Sequence, residues 1–341
     1  MKKIAQAIIM SFILIFATPV VLAQTEQYDS YDRVQKAVNE LEQAKKYEEA
    51  IALMKSVEGK FLGYEYEIIR EFAYLYLKTE QYEKCLDAWQ EGHKKGFFFL
   101  IHPNLPQYKP LKDLVRFNDL AAEDDRLRRE ALTRSETVFE SELPTGYDES
   151  KKYPLLIILH GGGSNIAQAR KHWHSPVMKK EYIVVFIQSY LHYGMKDFGW
   201  RKEDPRARED IKNIYRELIH QYSVDTSKVI IGGISAGGSA AMDISLNQII
   251  PTRGIIGVCP AIPGDRFTTE QIKKASRVRI RAYLITGEND PGREGQEKTV
   301  ELFESEKLQN KFIVISGMGH EYPDDFSRQI DSALTFLNFT G

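Results

Sequence analysis

Cysteine and net charge are both scarce in this chain of 341 residues. The only cysteines are Cys85 and Cys259, which lie far apart, so a framework of disulfide bonds is excluded and two buried thiols are expected. The formal charge of −2, or −4 if Lys2 and Lys3 are lost, indicates no basic stripe for nucleic acid. Nucleic acid and other polyanions are therefore not expected as partners.

A long apolar run occurs only near the amino terminus. Lys2 and Lys3 precede the apolar stretch from Ile8, which ends with small residues, Val21 and Ala23, at the −3 and −1 positions of a cleavable export signal. The stretch through Ala23 has 16 residues, which is short for about 30 Å of hydrocarbon, and no cysteine follows it to carry a lipid. We therefore expect a signal peptide at 1–23, no stable membrane anchor, and a secreted or periplasmic bacterial protein.

The chain is long enough for two domains, and its 43% of hydrophobic residues can fill packed cores. Residues 31–130 place apolar side chains at helical spacing. Within them, Lys46–Ile51 recurs as Gln81–Leu86 after 35 residues, a pattern that resembles the tetratricopeptide helical hairpin without its usual tryptophan and proline. An all-α, helical-repeat domain is predicted over 24–132, closed by a further helix around 111–130.

The role of this helical domain stays open at the level of sequence. Arrays that resemble tetratricopeptide repeats bind peptides or partner proteins. A short array fused to an enzyme can equally be a docking shoulder or a dimer contact. A protein partner through the helical repeats is therefore one expectation among several.

Beyond Leu132 the pattern changes to strands that alternate with helices. Six runs are mostly apolar and predict buried strands: 155–159, 183–187, 229–234, 254–258, 281–286 and 312–315. Continuous rather than alternating apolar residues indicate strands covered on both faces, hence a doubly wound, mostly parallel α/β sheet over 133–341. Functional residues are then expected at the carboxyl edge of the strands.

One glycine-rich turn stands out at such an edge. Gly233, Ser235 and Gly237 form G-x-S-x-G directly after the strand at 229–234, which is the pattern of a nucleophile elbow. Glycines two positions either side of the serine have no Cβ to clash in a sharp strand-to-helix turn. The motif alone is weak, because similar turns bind nucleotides or merely pack. Ser235 is the candidate nucleophile.

A second glycine-rich turn, H-G-G-G at 160–163, follows the strand at 155–159. Acyl transfer needs N–H donors aimed at the oxygen that becomes negative, and glycines let the backbone approach it closely. An N–H within 161–163, preferably that of Gly162, is predicted to form an oxyanion hole with the N–H of Ala236.

Several residues around these turns are candidate substrate contacts. They are His160, Gly161 and Gly163 beside the first strand and Trp200 in the aromatic-rich segment that follows. For Trp200 the alternative of packing beneath the loops stays open.

A serine hydroxyl needs a histidine to take its proton and a carboxylate to orient that histidine. The strand at 281–286 leads into Asp290, and the strand at 312–315 leads into His320, in the order serine, aspartate, histidine. Asp290 is preferred to Glu288 because it lies deeper in its loop, before a proline. A metal site at His172 and His174 is not expected, because they have no carboxylate or cysteine close by.

Taken together, H-G-G-G, G-I-S-A-G-G, G-E-N-D-P and G-M-G-H over about 135–341 resemble the compact esterase branch of the α/β-hydrolase family. The likeness is strongest to polyhydroxybutyrate depolymerases, feruloyl esterases and phospholipase/carboxylesterases. It implies hydrolysis of a small-molecule or polymer-linked carboxylic ester through an acyl-serine, without metal or cofactor. Two alternatives remain: a serine peptidase of the prolyl-oligopeptidase type, or a catalytically idle protein that binds a partner through its helical repeats.

Overall fold

The computed structural model describes residues 28–262 and 266–337, so the predicted signal peptide at 1–23 lies outside the described residues. The chain divides between Leu127 and Arg128 into two compact units. Among the described helices, none combines the length and the apolar character that crossing a membrane requires.

The first unit is built from helices. Their bounds are α1 Tyr31–Gln43, α2 Tyr47–Ser56, α3 Glu65–Lys78, α4 Tyr82–Lys94, a 3₁₀ helix Pro106–Leu111 and α5 Val115–Leu132, the last of which continues into the second unit. The two similar segments both begin a helix at a tyrosine, Tyr47 and Tyr82. The small residues three positions later, Ala50 and Cys85, are fully buried, and small side chains at such points allow close packing of helices.

The second unit contains a seven-stranded sheet in the order β1-β3-β2-β4-β5-β6-β7. The strands are β1 Val138–Glu142, β2 Tyr153–Leu159, β3 Ile183–Gln188, β4 Val224–Ile234, β5 Gly254–Val258, β6 Arg281–Gly287 and β7 Gln309–Ile315. Only β1 runs antiparallel to its neighbour, and the other five pairs are parallel. The predicted α/β class with a mostly parallel sheet is confirmed.

Helices cover both faces of this sheet. They are α6 Ile166–His172, α7 Pro176–Glu181, α8 Pro205–Gln221, α9 Ala236–Leu246, α10 Thr269–Arg277, α11 Arg293–Ser305 and α12 Phe326–Phe336. Strand β2 shows why its sequence is apolar throughout: Leu155, Ile157 and Leu159 enter one hydrophobic cluster, while Leu156 and Ile158 enter another on the opposite face. Every one of these side chains is fully buried.

Candidate active site

Ser235 occupies the turn between the end of β4 and the start of α9. Its φ of 54° and ψ of −120° lie where non-glycine residues are strained by about 1–3 kcal/mol. The backbone is held there by neighbours: the Ser235 N–H donates to the Val258 carbonyl (2.9 Å), and the Ser235 carbonyl accepts from the N–H groups of Ala261 (3.1 Å) and Ser239 (3.0 Å). The surrounding structure therefore fixes this conformation.

The glycines of the elbow are required by close backbone approaches. A Cβ on Gly233 would lie 2.6 Å from the Leu159 carbonyl oxygen. A Cβ on Gly237 would overlap the carbonyl oxygens of both Leu159 and His160. The end of β2 thus passes directly against the start of α9, and only glycine fits between them.

Gly237→Ala is expected to destabilise the protein by at least about 3 kcal/mol, because backbone atoms cannot move aside as a flexible side chain does. Urea unfolding would measure the loss. Gly162→Ala is the matched control, since its Cβ would lie 3.4 Å from the Ala236 Cβ, an ordinary contact. Equal stability of the two variants would contradict this account of the elbow.

Asp290 and His320 are joined by a hydrogen bond of 3.1 Å between Asp290 Oδ1 and His320 Nδ1. Asp290 follows β6 and has a fully buried side chain, whereas the side chain of His320, after β7, is 39% exposed. An ionised carboxylate only accepts hydrogen bonds, so the proton of the imidazole lies on Nδ1 and Nε2 keeps its lone pair. The exposed imidazole is therefore oriented to act as a base through Nε2.

Further donors keep the Asp290 carboxylate charged. Oδ1 accepts the Gly292 N–H (2.7 Å), and Oδ2 accepts from Thr286 Oγ1 and Gln296 Nε2, both at 3.1 Å. Burial by itself would raise the pKa of Asp290, but the hydrogen bonds, led by those from Gly292 and His320, outweigh it and lower the pKa to about 2. Asp290 is thus ionised at every pH at which an esterase would work.

Cys259 lies directly behind this pair. Its thiol contacts the carbonyl oxygens of Gly319 (3.7 Å) and Glu321 (3.5 Å), the residues that flank His320. Among the described residues, Cys259, Asp290 and His320 form the one group whose donor atoms are close enough for a metal ion. Burial and the nearby Asp290 raise the pKa of Cys259 to about 11, and the Asp290 and His320 atoms of this group are already hydrogen-bonded to each other. The group fits a supporting thiol better than a metal centre.

The two predicted oxyanion-hole residues lie side by side. The Cβ position of Gly162 is 3.4 Å from the Ala236 Cβ, and Ala236 is the first residue of α9, where N–H groups have no intrahelical partner. The Gly163 N–H is already used, since it donates to the Phe198 carbonyl (2.8 Å). Within the described part of the chain, the Gly162 N–H has no such partner.

Comparison with known proteins adds an independent finding. A model of the phospholipase/carboxylesterase family matches residues 146–340, more than half of the chain. The chain belongs to this family. It is accordingly an α/β-hydrolase and a carboxylesterase-type serine hydrolase.

Three solved structures are similar to this member of the phospholipase/carboxylesterase family. An uncharacterized protein from Bacillus cereus ATCC 10987 is 24% identical over 92% of this chain and 100% of its own, with a TM-score of 0.53. A ferulic acid esterase is 16% identical over 60% and 97% of the two chains (TM-score 0.48), and esterase PE8 is 17% identical over 60% and 100% (TM-score 0.46). No curated protein sequence matches the chain.

In this phospholipase/carboxylesterase, His160 and Trp200 are buried within the glycine-rich loop. His160 Nε2 accepts the Ser189 N–H (3.2 Å), so Nδ1 carries the proton and donates to the Gly161 carbonyl (2.7 Å). The Trp200 indole N–H donates to the His160 carbonyl (2.9 Å). Both ring nitrogens of His160 and the indole N–H are engaged within the protein, and these contacts hold the loop that carries Gly162.

Burial of His160 lowers its pKa from 6.5 to about 4. Between these pH values the unfolded chain binds a proton that the folded protein rejects, so the contribution of His160 to stability falls as the pH falls, by about 2 kcal/mol at pH 5. Asp290 contributes only at lower pH, as its carboxylate begins to protonate in the unfolded chain.

Urea unfolding of the wild type and of His160→Gln at a series of pH values would measure this effect. Glutamine can accept and donate at similar positions but does not titrate. The variant should therefore lose less stability between pH 7 and pH 5. An identical pH dependence in both proteins would show that His160 is not the group responsible.

Several residues of the site were not predicted from the sequence. Thr286 and Gln296 orient Asp290, and Gln296 Nε2 also donates to the Pro260 carbonyl (3.0 Å). Tyr193 lies in the aromatic-rich segment before Trp200 but was not singled out, although its ring lies 3.8 Å from the Cβ position of Gly162. The only sequence signal for Thr286 was its place as the polar last residue of the predicted strand 281–286. Nothing in the sequence around Gln296 indicates a role in the site.

Proposed function

We propose that the protein is an exported carboxylic ester hydrolase with a catalytic triad of Ser235, His320 and Asp290. The observation that carries the proposal is the hydrogen bond between His320 and a fully buried, ionised Asp290 at the edge of the sheet where the strained Ser235 turn lies. Residues 258–261 contact both parts: Val258 and Ala261 bind the Ser235 backbone, and the Cys259 thiol contacts the loop of His320.

The proposed reaction accounts for each proton and bond. Ser235 Oγ attacks the ester carbonyl carbon while His320 Nε2 takes the hydroxyl proton, and the N–H groups of Gly162 and Ala236 stabilise the oxyanion. As the intermediate collapses, the bond to the alcohol oxygen breaks and His320 returns the proton to that oxygen. Water then attacks the acyl-serine by the same route, which releases the acid and restores Ser235.

Asp290 acts by charge and orientation in this scheme. Its negative charge stabilises the imidazolium that forms when His320 takes a proton, and its hydrogen bond keeps Nε2 directed away from the buried carboxylate. The carboxylate does not itself take the proton, in agreement with its pKa of about 2.

A matched pair of substrates tests the proposal against the peptidase alternative. p-Nitrophenyl butyrate and butyryl p-nitroanilide carry one acyl group on an ester and on an amide. We expect rapid hydrolysis of the ester and an amide rate lower by about a hundredfold or more. The p-nitrophenolate of the ester leaves without being protonated, whereas the amide nitrogen must receive a proton before it can leave. Comparable rates would favour a peptidase, and no turnover of either would favour the idle binding protein.

Export is the second part of the proposal, supported by the lysines, apolar core and small residues within 1–23. Cleavage after Ala23 would leave Gln24 as the first residue. Mass spectrometry of the protein recovered from culture medium or periplasm would detect that terminus. A retained Met1 in the exported fraction would contradict cleavage.

A further inference from the structure

A cavity of about 520 Å³ lies in the α/β unit. Its lining holds five cationic side chains together with two serines, a glutamine and an isoleucine, and no carboxylate. The cations are Lys228, Arg253, Arg279, Arg281 and Lys307. We call this the basic cavity.

The basic cavity lies at the amino ends of neighbouring parallel strands. Arg281 begins β6 and pairs in register with Gly254, the first residue of β5, and with Gln309, the first residue of β7. Arg253 precedes β5, and its N–H donates to the Val229 carbonyl of β4 (2.8 Å). Since Ser235, Asp290 and His320 follow the carboxyl ends of the same strands, the cavity is at the opposite edge of the sheet from the candidate active site.

Helix termini explain part of this charge. Arg279 and Lys307 follow the ends of α10 and α11 in left-handed conformations, with φ of 60° and 57°, and cations at helix carboxyl ends offset the helix dipole. The same reason does not apply to Lys228, which lies within β4, or to Arg253 and Arg281, which lie just before β5 and at the start of β6. The cluster is therefore larger than helix capping requires.

The charges of the basic cavity are only partly balanced. Lys228 pairs with Asp225 (3.4 Å), and Arg281 donates to the Phe336 carbonyl (3.2 Å). Within 28–262 and 266–337, Arg253, Arg279 and Lys307 form no ion pair with a carboxylate. Like charges gathered around one recess repel one another and attract an anion. The formal charge of −2 hides this cluster because it is a sum over the whole chain.

We propose that the basic cavity binds a small compound that carries two or more phosphate groups. The three cations that lack a carboxylate partner among the described residues match several negative charges in a small volume. The arginine guanidinium presents a planar fork that fits phosphate oxygens. A volume of about 520 Å³ is in the range of small-molecule sites and would enclose such a compound. Ligand bound here is distinct from the ester that the active site cleaves.

Titration calorimetry of the full-length chain with inorganic tripolyphosphate, at fixed ionic strength, tests the proposal. Arg253→Gln and Arg279→Gln should each weaken binding by about tenfold, as expected for the loss of one charge-assisted contact. The double variant Lys273→Gln, Lys274→Gln is the matched control, because it removes two exposed charges of α10 outside the cavity. Its affinity should stay within about twofold of the wild type.

Hydrolysis of p-nitrophenyl butyrate, unchanged in every variant, would show that the proteins are folded. A dissociation constant weaker than about 1 mM for the wild type would overturn the proposal. So would an equal loss in the control variant, which would indicate general charge attraction, or equal binding of citrate, which would indicate no preference for phosphate. Binding to vesicles that contain phosphatidic acid without binding to tripolyphosphate would assign the cavity to a lipid headgroup and would also overturn it.

Discussion

Ser235→Ala is expected to lower kcat for p-nitrophenyl butyrate by a factor of about 10⁴ or more, the largest effect of any substitution considered. Alanine has no oxygen to form the acyl-enzyme, so only direct attack by water remains. Stability should change little, because every hydrogen bond that holds residue 235 runs through its backbone N–H and carbonyl. The same variant should no longer be labelled by a fluorophosphonate.

Ser227→Ala provides the matched control. It removes a serine hydroxyl from the same strand, β4, where the Ser227 hydroxyl donates to Asp225 (2.6 Å) at the opposite edge of the sheet. Its turnover and fluorophosphonate labelling should equal those of the wild type. Undiminished turnover or labelling in Ser235→Ala would instead place the nucleophile elsewhere.

Asp290→Asn should lower kcat by about 10³- to 10⁴-fold. An amide has no charge to stabilise the imidazolium of His320. In addition, its NH₂ group would face a donor on either side, since Gly292 and His320 donate to one oxygen while Thr286 and Gln296 donate to the other. Because the pKa of Asp290 is about 2, the deficit should persist across the neutral and alkaline pH range.

Glu288→Gln tests which of the two carboxylates of the G-E-N-D-P segment belongs to the triad. Glu288 is exposed and accepts from Ser316 Oγ (2.8 Å) and the Gly317 N–H (2.9 Å) in the loop before His320. Its neutralisation should change kcat by no more than about threefold, since it does not contact the imidazole. A larger loss in Glu288→Gln than in Asp290→Asn would reverse the assignment of the triad carboxylate.

The strands of the sheet could be predicted from the sequence, because a strand buried on both faces is a continuous apolar run. The run at 254–258 has the same bounds as β5 in the structure. Strand β4 begins earlier than the apolar run predicts, at Val224, because residues 225–228 are polar and yet continue the strand. Hydrophobicity therefore located the buried centre of each strand better than its ends.

Contacts between residues far apart in the chain could not be predicted from the sequence in this way. Cys259 was expected to be an inert buried thiol, and it is buried, but the structure places it against Asp290 and the loop of His320. Gln296 lies on α11, beyond the strand that leads to Asp290, and reaches the carboxylate only because that helix packs beside the loop. Trp200 was a candidate substrate contact, and its indole N–H is engaged by the His160 carbonyl.

The left-handed backbone of Ser235 lowers the stability of the protein at the residue that its activity requires. Any L-residue at this position raises the free energy of the native state, whereas glycine adopts a φ of 54° without that penalty. Ser235→Gly should consequently yield a protein that is more resistant to denaturant and has no hydrolytic activity. Selection for stability alone would favour glycine at position 235, and only the need for a nucleophile would keep serine there.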